Sequence, residues 1–68
     1  MFRGDLLLKW RMKNGLSQTE SAQKANITQE YWHALENGKR VPSLNVLHVI
    51  SVVTGIKKAV LLGEENIC

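Results

Sequence analysis

Residues 16–38, LSQTESAQKANITQEYWHALENG, contain two helix starts, two helix stops and a short turn between them, and no other stretch of the chain constrains its fold as much. Ser17-Gln18-Thr19-Glu20 is a capping box: the Ser17 hydroxyl can accept from the N–H of Glu20 while the Glu20 carboxylate accepts from the N–H of Ser17. A helix therefore begins at Gln18. Ala22 and Ala25 follow, small enough to let a neighbouring helix come close, and Asn26 tolerates the positive φ that ends the helix. Thr28 is placed to cap a second helix over Gln29–Glu36, which Asn37-Gly38 stops. Two helices at this spacing form the supersecondary unit that can lay its second helix in a major groove, so DNA binding is the leading expectation.

Outward from that unit, Leu6, Leu7 and Trp10 make an apolar stripe on a helix predicted over Gly4–Lys13, ended by Asn14-Gly15. Trp32 and Leu35 take the inward face of the helix that follows Thr28. Lys39 to Val41 form a short basic loop closed by Pro42, and Ser43 caps a fourth helix that stops at Gly55. The β-branched run Val49 to Thr54 favours a strand on intrinsic preference, but the Pro-Ser start, the Gly stop and a length of about a dozen residues favour a buried helix. A last short helix is expected over Lys57–Leu62, ending at Gly63, with residues 64–68 a flexible tail. The expected fold is all-α, a compact bundle of five helices in a single domain over residues 1–68, with the helix-turn-helix at about 17–37.

The run Arg11 to Ser43 resembles the Cro and CI-repressor (XRE-type) helix-turn-helix family. The residues that carry the likeness are an Arg late in helix 1, Gly15-Leu16-Ser17-Gln18, Ala22, Ile27, Thr28 as cap, Glu36-Asn37-Gly38 and Pro42-Ser43. Two positions depart from the family: Ser21 stands where a leucine is usual, which weakens the packing expected between helices 2 and 3, and Asn26 replaces the turn glycine. The resemblance implies a lambda-repressor-like fold and a regulator of the bacterial or phage type, such as a phage repressor or a restriction-modification controller protein. It also implies that Gln29, Glu30 and Ala34, the first, second and sixth residues after the cap, read bases. By the same likeness Gln18 holds a phosphate, and Arg11 pairs with Glu36 to tie helix 1 to helix 3 while being able to touch a phosphate as well.

The chemistry of these residues suits those roles. A glutamine can donate to N7 and accept from N6 of adenine, Glu30 could accept from cytosine N4, and the Ala34 methyl could meet a thymine methyl. His33 lies on the same face and either contacts DNA or is simply exposed. Taken alone, Gln29 and Glu30 would be ordinary first-turn residues, Glu30 being favoured there by the helix dipole. Asn37, Lys39 and Arg40 are candidates for the DNA backbone, and Tyr31 can add a hydroxyl. Trp10 and Trp32 fall at core spacing and read as packing residues.

Composition narrows the function further. The formal charge of +3 is compatible with a polyanion without requiring one. Cys68 is the only cysteine, so no internal disulfide forms and a reducing, cytoplasmic location is expected. His33 and His48 lack partners at ligand spacing, so neither a metal nor another cofactor is expected. The N-terminal apolar run is too short and too charged for a signal peptide or a membrane span. No enzyme is expected, since the chain has one aspartate, Asp5, two histidines without a plausible partner, and no evident nucleophile with a base. The alternative class is a protein-interaction module of the antitoxin type on the same fold.

One such domain touches few base pairs. A homodimer on a pseudo-palindromic operator is therefore expected, with recognition helices about 34 Å apart and RNA polymerase as a further partner. No small-molecule ligand is expected. Val60, Leu61 and Leu62, joined by helix 4 and Ile67, either form the dimer interface or close the core.

Overall fold

Each helix of the motif starts where a side chain supplies a missing backbone partner. The structure, a computed structural model, describes residues 2–64. Five helices follow one another: α1 Gly4–Lys13, α2 Gln18–Lys24, α3 Gln29–Glu36, α4 Leu44–Thr54 and α5 Lys58–Leu61, with no strand among the described residues. At the start of α2 the Ser17 hydroxyl accepts from Glu20 N at 3.0 Å and the Glu20 carboxylate accepts from Ser17 N at 2.9 Å, a complete capping box. Thr28 caps α3 through Tyr31 N at 3.1 Å, and Ser43 caps α4 through Val46 N at 3.4 Å.

The turn between α2 and α3 is set by Asn26, whose φ is +57°. That conformation lets Ile27 N donate to Ala22 O at 3.0 Å and closes the end of α2 with a backbone bond. Ala22 and Ala25 are buried where α2 meets α3, so the two helices approach without large side chains between them.

The β-branched run of α4 is helical to Thr54 because tertiary burial outweighs local preference: Leu47 and Ile50 are buried, and Val46 and Val49 pack against the same core. Hydroxyls finish this helix. Thr54 Oγ1 donates to Ile50 O at 2.8 Å and Ser51 Oγ donates to Ile56 O at 2.6 Å. The last helix is shorter than its expected span, with Lys57 and Leu62 as its caps rather than its first and last residues.

Phe2, Leu6 and Leu7, Trp32 and Leu35, Leu47 and Ile50, and Val60 and Leu61 complete the core. Val60 is 6% exposed and Leu61 0%, so these two side chains close the core of their own chain, with Leu62 packed against it. Ile67, Cys68 and most of the expected tail lie outside the described residues. Trp32 is fully buried and meets the half-buried Trp10 at a ring separation of 6.2 Å and a tilt of 51°. Ser21 is fully buried, and its hydroxyl has no hydrogen-bond partner among the described residues. That orphaned hydroxyl costs roughly 1 kcal/mol or more, and the alanines keep α2 against α3 in spite of it. No helix of the described residues is long and apolar enough to cross a membrane.

Helix α1 lies so close to the end of α3 that its first residue must be glycine. A Cβ on Gly4 would collide with the Leu35 carbonyl oxygen and stand 3.0 Å from the Leu35 carbonyl carbon and 3.1 Å from the Glu36 carbonyl oxygen, all of them backbone. Alanine is the better helix former by about 1 kcal/mol. Gly4→Ala is nevertheless expected to destabilise the fold by about 2 kcal/mol through overpacking. Denaturant unfolding checks this; an unchanged or raised midpoint would mean that α1 can move away from α3 freely.

Candidate nucleic-acid interface

The carboxylate of Glu36, at the end of α3, collects donors from three helices. Arg11 of α1 donates through Nε to Oε2 at 2.7 Å and through Nη2 to Oε1 at 3.3 Å. Trp32 Nε1 donates to Oε2 at 2.5 Å, and Gln18 Nε2, at the start of α2, donates to Oε1 at 3.1 Å. The Glu36 side chain is 4% exposed and that of Arg11 18%. Burial pushes the Glu36 carboxyl up, but the hydrogen bonds from Arg11, Gln18 and Trp32 outweigh it and hold the group below its ordinary value. The carboxylate in turn raises the Arg11 guanidinium. Arg11 spends a third donor, Nη1, on Leu16 O at 3.1 Å and so braces the turn into α2 as well.

From this hub a chain of side-chain amides runs to the surface. Gln18 Oε1 accepts from Gln29 Nε2 at 2.7 Å, which joins the first residue of α2 to the first residue of α3. Gln18 Nε2 also lies 3.1 Å from His33 Nδ1. Gln29 is half-buried, Glu30 and His33 are exposed, and Ala34 is half-buried. The structure thus brings Gln18, Gln29, His33 and Glu36 into one connected group and leaves Glu30 to solvent. Asn37, Lys39 and Arg40 are exposed where the chain leaves α3. The Asn37 amide donates to His33 O at 2.8 Å. The Arg40 guanidinium sits over the Tyr31 ring at 5.1 Å, and Ser43 N donates to the Tyr31 hydroxyl at 3.4 Å. Tyr31 therefore clamps the basic loop and the start of α4 to α3.

Two of these roles are absent from a reading of the chain as text. Trp32 is a donor to Glu36 as well as a packing residue, and its i, i+4 spacing on α3 is the signal that could have revealed it. The bond from Gln18 to Glu36 has no such local signal. Among the described residues no group of three or more metal-ligating side chains comes together.

The helix-turn-helix domain family matches residues 4–61, most of the chain. The chain belongs to that family. Among its relatives is the immunity repressor protein of Bacillus phage phi105, 32% identical over 57 residues, an alignment that takes in 84% of this chain and 40% of the repressor. Of solved structures, a SinR/SinI protein complex aligns with a TM-score of 0.79 at 28% identity over 93% of this chain and 62% of the matched chain. A crystal structure of SinR, the master regulator for biofilm formation, in complex with DNA aligns with a TM-score of 0.76 at 28% identity, over 87% of this chain and 95% of the other. The chain thus spans less than half the length of the phage repressor. These likenesses make it an XRE-type helix-turn-helix protein, and they are likenesses to regulators rather than to enzymes.

The Glu36 hub gives this helix-turn-helix a defined acid response. Because the folded carboxyl titrates below its ordinary value of 4.5, the stabilisation is complete above that pH and is lost as the pH falls through the depressed folded value. Arg11→Met removes the main opposing charge. The expected cost near neutral pH is about 2 kcal/mol, less than for a fully buried pair because Arg11 is partly exposed and two donors remain. That cost should shrink as the pH falls from 4.5 through the depressed folded value, since a protonated Glu36 no longer needs a cation. Urea unfolding of both proteins on either side of this pH checks the sign; a cost independent of pH would refute the account.

Proposed function

We propose that the protein is a sequence-specific transcriptional regulator that reads the major groove of double-stranded DNA with α3, capped at Thr28. The observation that carries this reading is the group at the leading end of α3. Gln29, Glu30 and His33 stand together at the surface beside Gln18, and the cations Lys39 and Arg40 follow on the adjoining loop. A polar edge flanked by cations is what base edges flanked by phosphates require. Further support comes from the SinR structure, which was solved with DNA, and from the phage relative, which is named a repressor. In this reading Gln29, Glu30, His33 and Ala34 contact bases, while Lys39, Arg40 and Asn37 grip the strands, with Tyr31 and Gln18 at their edge. Arg11 stands behind them with three donors already engaged, so holding Glu36 is its principal work.

The protein acts in the cytoplasm as a homodimer on a pseudo-palindromic operator, either blocking RNA polymerase or touching it, with control exerted through its own concentration. Helix α4 supports the dimer. Leu44 is 84% exposed and Val52 69%, and with His48 between them they form a stripe at i, i+4 and i+8. No Lys, Arg, Asp or Glu occurs from Val41 to Ile56 in a chain of net charge +3, so two copies can meet there without repulsion.

Selection from random duplexes tests the base reading. Gln29→Ala is expected to cost about 1–3 kcal/mol at one base pair and to relax preference there. Lys39→Ala or Arg40→Ala should instead weaken all sequences alike and reduce the salt slope by about one unit. Unchanged preference in Gln29→Ala would refute the reading helix. Sedimentation tests the dimer separately: Val52→Lys should yield monomers at concentrations where the unaltered protein pairs, and pairing that survives the change would move the interface off α4.

A further inference from the structure

A buried carboxylate linked by hydrogen bonds to a surface amide can decide which way that amide faces. An ionised carboxylate only accepts, whereas a glutamine amide has a donating end and an accepting end. Glu36 is ionised at neutral pH, since its donors hold it below the ordinary carboxylate value. Gln18 must therefore turn its NH₂ toward Glu36 Oε1, 3.1 Å away. Its other N–H faces His33 Nδ1 at 3.1 Å, a contact that is made in the tautomer with the ring proton on Nε2. The Gln18 carbonyl is then left facing Gln29, which can satisfy it only with its own NH₂, at 2.7 Å. One N–H and the carbonyl oxygen of Gln29 remain. Adenine offers the complementary pair, an N7 acceptor and an N6–H₂ donor, while guanine offers two acceptors, N7 and O6.

We propose that Glu36, a residue that reaches no base, is a positioning residue for sequence readout: acting through Gln18, it fixes the hydrogen-bond polarity of Gln29 and thereby selects adenine over guanine. This rests on the reading of Gln29 as a base contact. The polarity is reversible by a single change. In Glu36→Gln the new carbonyl takes the place of Oε2, which serves both Arg11 Nε at 2.7 Å and Trp32 Nε1 at 2.5 Å, and the new NH₂ takes the place of Oε1, where it gives up the longer 3.3 Å bond from Arg11 Nη2 and faces Gln18. Gln18 then turns its carbonyl inward, where His33 meets it as the other tautomer with the ring proton on Nδ1, and turns its NH₂ toward Gln29. Gln29 answers with its carbonyl and presents only N–H groups to the groove, a donor pair that suits guanine.

The experiment is a selection from random duplexes followed by competition between operators that differ only by adenine or guanine at the Gln29 position, using the unaltered protein, Glu36→Gln, Gln18→Ala and Gln29→Ala. The unaltered protein should prefer adenine by roughly ten-fold or more, the discrimination of one bidentate pair. Glu36→Gln should reverse the preference toward guanine, a result that loss of stability alone cannot produce. Gln18→Ala serves as the second variant should Glu36→Gln fail to fold. It cuts the link between hub and reader and should level the two bases to within about three-fold, whatever it does to overall affinity. An adenine preference that persists in folded Glu36→Gln, or in Gln18→Ala, overturns the relay while leaving Gln29 as the reader. An adenine preference that persists in Gln29→Ala overturns the reading of Gln29 itself.

Discussion

One carboxylate, Glu36, holds the architecture of the site. A charge only 4% exposed is tolerated in a small protein only if donors surround it, and here they come from the end of α1, the start of α2 and one turn back along α3. Satisfying that single group requires Arg11, Gln18 and Trp32 to converge. Their convergence sets how the first residues of α2 and α3 stand to each other, and the Gln18–Gln29 bond continues that placement to the surface. Such a buried ion pair adds little net stability compared with apolar packing; its effect is to make one arrangement of the three helices far better than its neighbours.

The remaining packing protects this arrangement. Glycine at position 4 lets α1 lie against the Leu35 and Glu36 carbonyls, bringing Arg11 within reach of the carboxylate. Alanines do the same between α2 and α3. Tyr31 of α3 carries Arg40 over its ring and accepts from Ser43 N, so the basic loop is steadied against α3. Stability is given up at Ser21, whose buried hydroxyl is unpaired among the described residues.

Helix boundaries were legible in the chain because capping is local. Ser17 with Glu20, Thr28, and Ser43 each bond to an N–H three residues away, and Asn26 and Gly55 mark the positive φ at which helices stop. The Arg11–Glu36 pair came only through family likeness, since nothing local joins residues 25 apart in the chain. For α4 the local signals disagreed, and burial of Leu47 and Ile50 decided in favour of helix. Val60 and Leu61 show the opposite limit: their apolar character was plain, but whether it faced the chain's own core or a partner depended on how α5 docks, with Arg3 N bonded to Leu61 O at 2.6 Å.

From local signals, then, the chain shows five helices, the side-chain caps of α2, α3 and α4, and the set of polar side chains at the leading end of α3, since each follows from residues within a turn or two of one another. Which of those side chains are joined, and in what sense, depends on how the helices pack. Gln18 and Gln29 are 11 residues apart, and Gln18 and Glu36 are 18 apart. An amide has no preferred face until folding brings a group that can only accept within 3.1 Å of it.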